Sequence, residues 1–323
     1  MQIREVLPPM ALPDGLVRLK MEGVTDLAGL IVLVGGVAAD LQGASTSTLT
    51  IKIPPASADD VRVCNGASAK GPLRIGRILN SDLHPVANPV VDDLGNVFVT
   101  YSGTRGEKVS FGVFMVTPDG NTQPFLGDIT NPTGMTIGPD GYLYVSSRHS
   151  GEIYRSSFDK QVEKYAEGLG LATGLVFDSQ GNLFVGDRSG SIYKISPDRE
   201  PEPFCEIEPS VSAFHLAIDP DDNLYVTGPT LATQDAVYRI SPQGEPEVYF
   251  RGLGRPQGIG FDPQGNLQVA ASYRGRKGLY TFEDGTPRLR VAGPMLVGFA
   301  YSPDESYLYC VDNSSLFQIE LKD

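Results

Sequence analysis

Apolar residues in this chain come in short runs rich in Val, Ile, Leu, Phe and Tyr, and Gly, Pro, Asp or Asn closes almost every run. Runs of that length with β-branched and aromatic residues, bounded by turn formers, predict strands rather than helices. From residue 73 onward the pattern repeats. Its core reads NPVVDDLGNVFVTY, MTIGPDGYLYVSS, LVFDSQGNLFVGD, LAIDPDDNLYVTG, IGFDPQGNLQVAA and FAYSPDESYLYCVD. The residues aligned before Asn or Tyr are Gly95, Gly141, Gly181, Asp222, Gly265 and Ser306, spaced 46, 40, 41, 43 and 41 residues apart. A period of that length is the mark of a radial repeat. In each copy two apolar runs flank D-x-x-G-N, a hairpin turn that needs positive φ at its glycine. A third run (SIYKIS, AVYRIS), a turn such as PQGE and a fourth run such as EVYF complete a four-stranded unit. Six such units predict a six-bladed β-propeller over residues 67–323.

The last copy ends on its third run, LFQIELKD, and the first is preceded by PLRIGRIL. The segment at 72–79 is therefore expected to pair with the last blade and close the ring, removing two sheet edges. Residues 1–66 follow another grammar. LVRLKMEG, LIVLVGG, STLTIKIPP and DDVRVCNG are strand-like runs with no helical period, which predicts a small β-sandwich. CNGASAKGP at 64–72 is small, polar and glycine-bearing, and is read as the linker. The fold class expected is all-β, a sandwich followed by a propeller.

Composition narrows the partners. A chain with 41% hydrophobic and 20% charged residues can bury a core, and a net charge of -13 argues against nucleic acid as a partner. Cys64, Cys205 and Cys310 are dispersed and odd in number, so no disulfide framework is read. MQIREVLPPM lacks the apolar centre of a secretion signal. The most apolar run, 27–39, has 13 residues, against about 20 for a membrane-spanning helix. No membrane partner is expected. A cytoplasmic location is the default, and an extracytoplasmic one follows if a leader has been removed.

Propeller geometry sorts the charges onto two faces. The turns between the first and second strands of each blade carry Asp92, Asp140, Asp178, Asp219, Asp222, Asp262 and Asp304 with no Lys or Arg. The loops between the second and third strands carry Arg105, Lys108, Arg148, Arg188, Arg274, Arg276 and Lys277, with His149 beside them. Aspartates suit β-turns as such. Arginine forks suit carboxylate or phosphate, so this second face is the expected mouth for a ligand. Copy alignment places Ala87, Thr133, Thr173, Phe214, Gln257 and Val297 at the start of the innermost strands, followed by Asn88, Gly134, Gly174, His215, Gly258 and Gly298. Ligand contacts are expected from Arg148, His149, Asp187, Arg188, Thr133, Thr173, Gln257, Arg274 and Arg276. Asp187 also fits an Asx-turn cap or a partner orienting Arg188. His215 is the histidine at the channel and a candidate base, with Glu208 in the preceding loop as its candidate partner.

Two resemblances follow from these motifs. The order P-P, P-D-G, L-K-M-E-G, V-G-G-V-A-A and S-T-L-T-I-K-I-P over residues 3–63 resembles an IPT/TIG immunoglobulin-like domain. The repeated P-x-G-I/M and D-x-x-G-N-L-Y/F-V over 73–323 resembles NHL and SMP-30/gluconolactonase-type propellers. The second resemblance implies lactone hydrolysis at a divalent metal, held by a Glu in an E-G-P motif and by Asn and Asp at channel positions. Here Ala87-Asn88-Pro89 has no Glu, and NPTG at 131–134 and RPQG at 255–258 stand where such an Asn belongs. Calcium takes six to eight oxygen ligands, usually with carboxylates, so no metal or other cofactor is expected. The leading expectation is a module that binds a small polar or anionic, carbohydrate-derived ligand at the channel mouth. The immunoglobulin-like domain is expected to act as a spacer or docking module, through which a protein partner could bind. The alternatives are an SMP-30-like hydrolase of lactones or esters with an altered site, and a protein-interaction scaffold whose same propeller face grips an acidic partner segment. Enzymatic activity is left open by the residues.

Overall fold

The computed structural model describes residues 1–55, 59–65, 67–104 and 106–322, and among them there is no helix. The first unit is built from two four-stranded antiparallel sheets. One orders Gln2–Leu7, Leu16–Glu22, Thr48–Lys52 and Asp40–Ala44, and the other orders Val37–Ala38, Ile31–Val34, Asp60–Asn65 and Ala67–Pro72. In LVRLKME the side chains alternate strictly, with Val17, Leu19 and Met21 buried and their neighbours exposed. They share one core with Leu49, Ile51, Val32, Val34, Val61 and Val63 from both sheets.

The stretch at 64–72, expected as a linker, is part of this unit. Ala67–Pro72 pairs antiparallel with Asp60–Asn65 as an edge strand. An edge strand needs backbone partners more than large side chains. Gly71 is also a packing residue, since an added Cβ would lie 3.2 Å from an Ile3 methyl and 3.3 Å from a Val6 methyl. The first unit therefore extends beyond residue 66 to Pro72.

Six further sheets follow, each with an innermost strand (a) and three more outward (b, c, d). Their innermost strands are Val90–Val91, Pro132–Ile137, Ala172–Phe177, His215–Ile218, Ile259–Phe261 and Gly298–Tyr301. These touch in sequence round the ring, and the first also touches the sixth. The sixth sheet borrows its outer strand: Arg77–Asn80 pairs antiparallel with Leu316–Glu320, and the Arg77 guanidinium donates to Gln318 Oε1 at 2.9 and 2.7 Å. Val97, Val99 and Val116 of the first blade pack with Tyr309, Val311 and Leu316 of the sixth.

The a–b turns account for their own acids. Asp178 accepts hydrogen bonds from the backbone N–H groups of Gln180 and Asn182 and from the Asn182 amide, and Asp92, Asp219 and Asp262 act likewise. In the sixth copy the positive-φ residue is Glu305 (φ 58°), not Ser306. Ser302 replaces the turn-opening aspartate there, and its N–H reaches one residue further, to Tyr307 O.

The first unit is welded to the propeller. Met10–Ala11 runs parallel to the outer strand of the fifth blade, Thr286–Ala292, and Arg74–Ile75 runs parallel to Met10–Ala11. The fifth sheet thus has six strands. Met10 and Leu12 are buried with Leu279, Val291, Phe299 and Ile319 of the last two blades. Burying a Leu or Met side chain fully contributes roughly 1.5–3 kcal/mol.

Backbone proximity at the axis sets the ring's tolerance. A Cβ at Gly174 would lie 2.6 Å from Phe214 O and 3.2 Å from His215 Cα. We expect Gly174→Ala to lower unfolding free energy in urea by about 2–3 kcal/mol. Gly141→Ala, at φ 78° with no atom within 4 Å, should cost only the left-handed strain of about 1 kcal/mol. Equal losses would show that close approach is not the constraint.

Candidate ligand-binding face

The b–c loops and the d–a connections between blades are stitched into one face. Asn131, buried on the first of these connections, donates to Ser102 O and Thr104 O and accepts from Gly106 N–H at 2.6 Å. Asp235, also buried, accepts from Thr230 N–H and Oγ1 at 2.8 and 2.7 Å and from Arg255 N–H at 3.0 Å. Ser210 Oγ donates to Pro229 O at 2.8 Å.

Several expected ligand contacts are spent on this stitching. The half-buried Arg148 donates to Gly103 O at 3.2 Å, and Arg188 donates to Val211 O at 2.9 Å and Ser210 O at 3.4 Å. His149 is exposed, with its ring near Gly106 of the first blade's loop. Asp187 caps its own loop, accepting from Leu171 N–H at 2.8 Å, Ser189 N–H at 3.3 Å and the Ser189 hydroxyl. Thr133 and Thr173 are buried, and their hydroxyls donate to Asn131 O at 3.1 Å and Gly186 O at 2.8 Å. Arg105 lies outside the described residues.

Two expectations need correction, those for Glu208 and Arg276. Glu208 is exposed on the outer flank of the fourth blade, 3.4 Å from Tyr238 Oη and 3.9 Å from the Arg251 guanidinium. No hydrogen bond joins it to His215, whose Nε2 has no protein partner. Proximity in sequence does not become a contact here, because Glu208 turns to Tyr238 and Arg251 instead. Arg276 faces the first unit, donating to Leu7 O at 3.0 Å and Leu16 O at 3.1 Å. Burial, with Arg18 nearby, pulls its pKa down. Arg274 is exposed on a tight turn, its guanidinium 5.1 Å from the centre of the Tyr273 ring.

What the face does offer lies off-axis, between the fifth and sixth blades. A cavity of about 410 Å³ is walled by Arg255, Gln257, Ser272 and Lys277, with Met295 and Leu296 as apolar surface. Among the described residues neither Arg255 nor Lys277 has an ion-pair partner, and the Gln257 and Ser272 side chains make no hydrogen bond. Arg255, leading into the fifth blade, stands where Asn131 stands three blades earlier, each before a proline and each at positive φ, 47° and 49°. Asparagine tolerates that conformation, whereas arginine is strained in it. The contrast between RPQG and NPTG carried this signal, but Arg255 was read only as the place of an absent asparagine.

The residues do not suit the metal that the gluconolactonase resemblance implies. Among the described residues no group of three or more His, Cys, Asp or Glu side chains could hold an ion. Asn88, at the axis, donates to Ile259 O at 2.8 Å and accepts from Phe299 N–H at 3.2 Å, so its amide is already engaged.

The comparisons agree with this architecture. No family model matches the chain. A gluconolactonase of Zymomonas mobilis is 35% identical over 28% of this chain and 30% of that protein. The lactonase drp35 of Staphylococcus aureus is 27% identical over 51% of this chain and 58% of that protein. The chain thus spans less than two thirds of the curated relatives it matches. A solved gluconolactonase from Xanthomonas campestris superposes with a TM-score of 0.62 at 17% identity, covering 76% of this chain and 90% of that one. The propeller is gluconolactonase-like in fold. An auxiliary nutrient binding protein from Bacteroides thetaiotaomicron superposes with a TM-score of 0.55 at 12% identity, covering 100% of this chain and 98% of that one, first unit included.

His215 has a measurable signature. It is 3% exposed, and burial lowers its pKa to about 4 from 6.5. Between those values the unfolded chain binds more protons than the folded one, so stability falls as pH drops from about 6.5 toward 4. The loss approaches about 3 kcal/mol. His215→Leu should flatten this part of a urea-midpoint profile against pH; an unchanged slope would assign the titration elsewhere.

Proposed function

We propose that the cavity between the fifth and sixth blades binds a small, hydroxyl-bearing anion of the sugar-acid type. The observation that carries this reading is Arg255: a guanidinium without an ion-pair partner among the described residues, held in a strained backbone conformation, on the wall of a cavity of about 410 Å³. Strain of this kind concentrates at functional sites. Ligand pockets run from roughly 300 to 1,000 Å³ with apolar walls and a few directed polar groups. Arg255 and Lys277 would hold the carboxylate, Gln257 and Ser272 the hydroxyls, and Met295 with Leu296 the apolar face of the ring. The whole-chain likeness to a nutrient binding protein supports a binding role. The first unit, in this reading, is an IPT/TIG-type domain.

A second reading is hydrolysis of a lactone to its sugar acid. The similarity in sequence to two lactonases favours it, and the acid bound above would be its product. It would have to proceed without a cluster of three or more His, Cys, Asp or Glu side chains for the metal that the resemblance implies, since the described residues offer none. Acid release from gluconolactone in a pH-stat, with and without added calcium, separates the two readings: no release above buffer leaves the binding role standing.

The binding role makes a specific demand. Arg255→Asn removes a cation and relieves backbone strain together. We expect its melting temperature to be equal or higher, and its affinity for galacturonate or gluconate to fall at least about tenfold, in line with loss of one charge-assisted hydrogen bond. Unchanged affinity in calorimetry would remove the site.

A further inference from the structure

We infer that the ligand is an oligomer, and that the first unit forms the far wall of its groove. This rests on the sugar-acid reading of the mouth and extends it. A second cavity, of about 280 Å³, lies at the seam between the first unit and the fifth blade. Asp14, Leu16 and Lys52 contribute its wall from the first unit, and Arg276, Lys277 and Pro294 from the propeller. Lys277 and Pro294 line both cavities. The two spaces therefore share Lys277 and Pro294 as wall residues, and the chain from Gly293 to Leu296 runs along both.

Charge favours an anion in the second space as in the first. Three cations and one carboxylate are on its walls. Lys52 pairs with Asp14 at 2.7 Å, Arg276 is held by two carbonyls, and Lys277 has no ion pair among the described residues. The far wall is also fixed in place. Met10–Ala11 is hydrogen-bonded to the fifth blade, and Leu12 is buried between the last two blades. An occupant crossing both spaces meets one preformed surface and orders no hinge, which lowers the cost of binding. The chemistry that fits is a short linear chain of acidic sugars, with one carboxylate at Arg255 and Lys277 and another near Lys277 and Lys52.

The test is a length series of galacturonate, di-galacturonate and tri-galacturonate, measured by calorimetry on the full chain. The trimer should bind at least about tenfold more tightly than the monomer. Lys52→Ala should abolish that gain and leave monomer affinity unchanged, while Lys52→Arg retains it. Lys52 is partly exposed, and an unaltered melting temperature of both variants shows that the fold is intact. Equal affinities along the series, or a gain that survives Lys52→Ala, would overturn the groove while leaving the mouth site in place. Binding of no member of the series would overturn the mouth site and the groove together.

Discussion

Sheets can meet round one axis only when their innermost strands come close enough for backbone to touch backbone. In this ring four of the six aligned positions are glycine, and at Gly174 and Gly298 a single added carbon would collide with the next blade. The two exceptions, Asn88 and His215, belong to the first and fourth blades and stand three places apart in the ring. Asn88 makes up for its bulk by bonding to two other blades. His215 is accommodated as a neutral ring because burial removes its charge. The packing that builds the fold thus commits the half-buried Asn88 amide to its neighbours and buries the His215 ring.

Charge separation between the faces has two different origins. On the turn face Asp92, Asp178, Asp219 and Asp262 are tied to the backbone of their own turns, and Asp222 accepts from Ser179 of the neighbouring turn. Those acids serve local geometry and say little about a partner. On the loop face the cations divide. Arg148, Arg188 and Arg276 bridge to carbonyls of neighbouring segments, whereas Arg255 and Lys277 remain directed into a cavity. In a protein with a net charge of -13, such a place is a local exception to the surrounding field. An anion arriving there is repelled at long range and held at short range, so attraction depends on contact more than on steering.

The ring was legible because its determinants are local. A turn that needs Asp, Gly and Asn at fixed offsets announces itself in each copy, and the period counts the blades. The strands of the first unit were legible for the same reason, through alternation within a few residues. What escaped reading depends on segments far apart. Arg276 looks like a loop cation until Leu7 and Leu16 are placed beside it, 269 and 260 residues away in sequence. Ala67–Pro72 looks like a linker until its partner strand gives its backbone a use. Glu208 and His215 are close in sequence, yet Glu208 is exposed beside Tyr238 and Arg251 while His215 is buried. Arg255 carried a readable sign, an arginine where its counterpart is asparagine, but its meaning needed the backbone angle.

The clasp between Arg77–Asn80 and Leu316–Glu320 also has a temporal side. Arg77 and Gln318 are 241 residues apart, and at ribosomal rates of about 5–20 residues per second the first waits on the order of ten to fifty seconds for the second. Until Gln318 arrives the nascent chain can carry at most the first unit and a growing, open arc of blades. The weld of Met10–Ala11 to the fifth blade comes within reach before the clasp does. The sandwich can then hold the arc near its final curvature while the last blade is still being made.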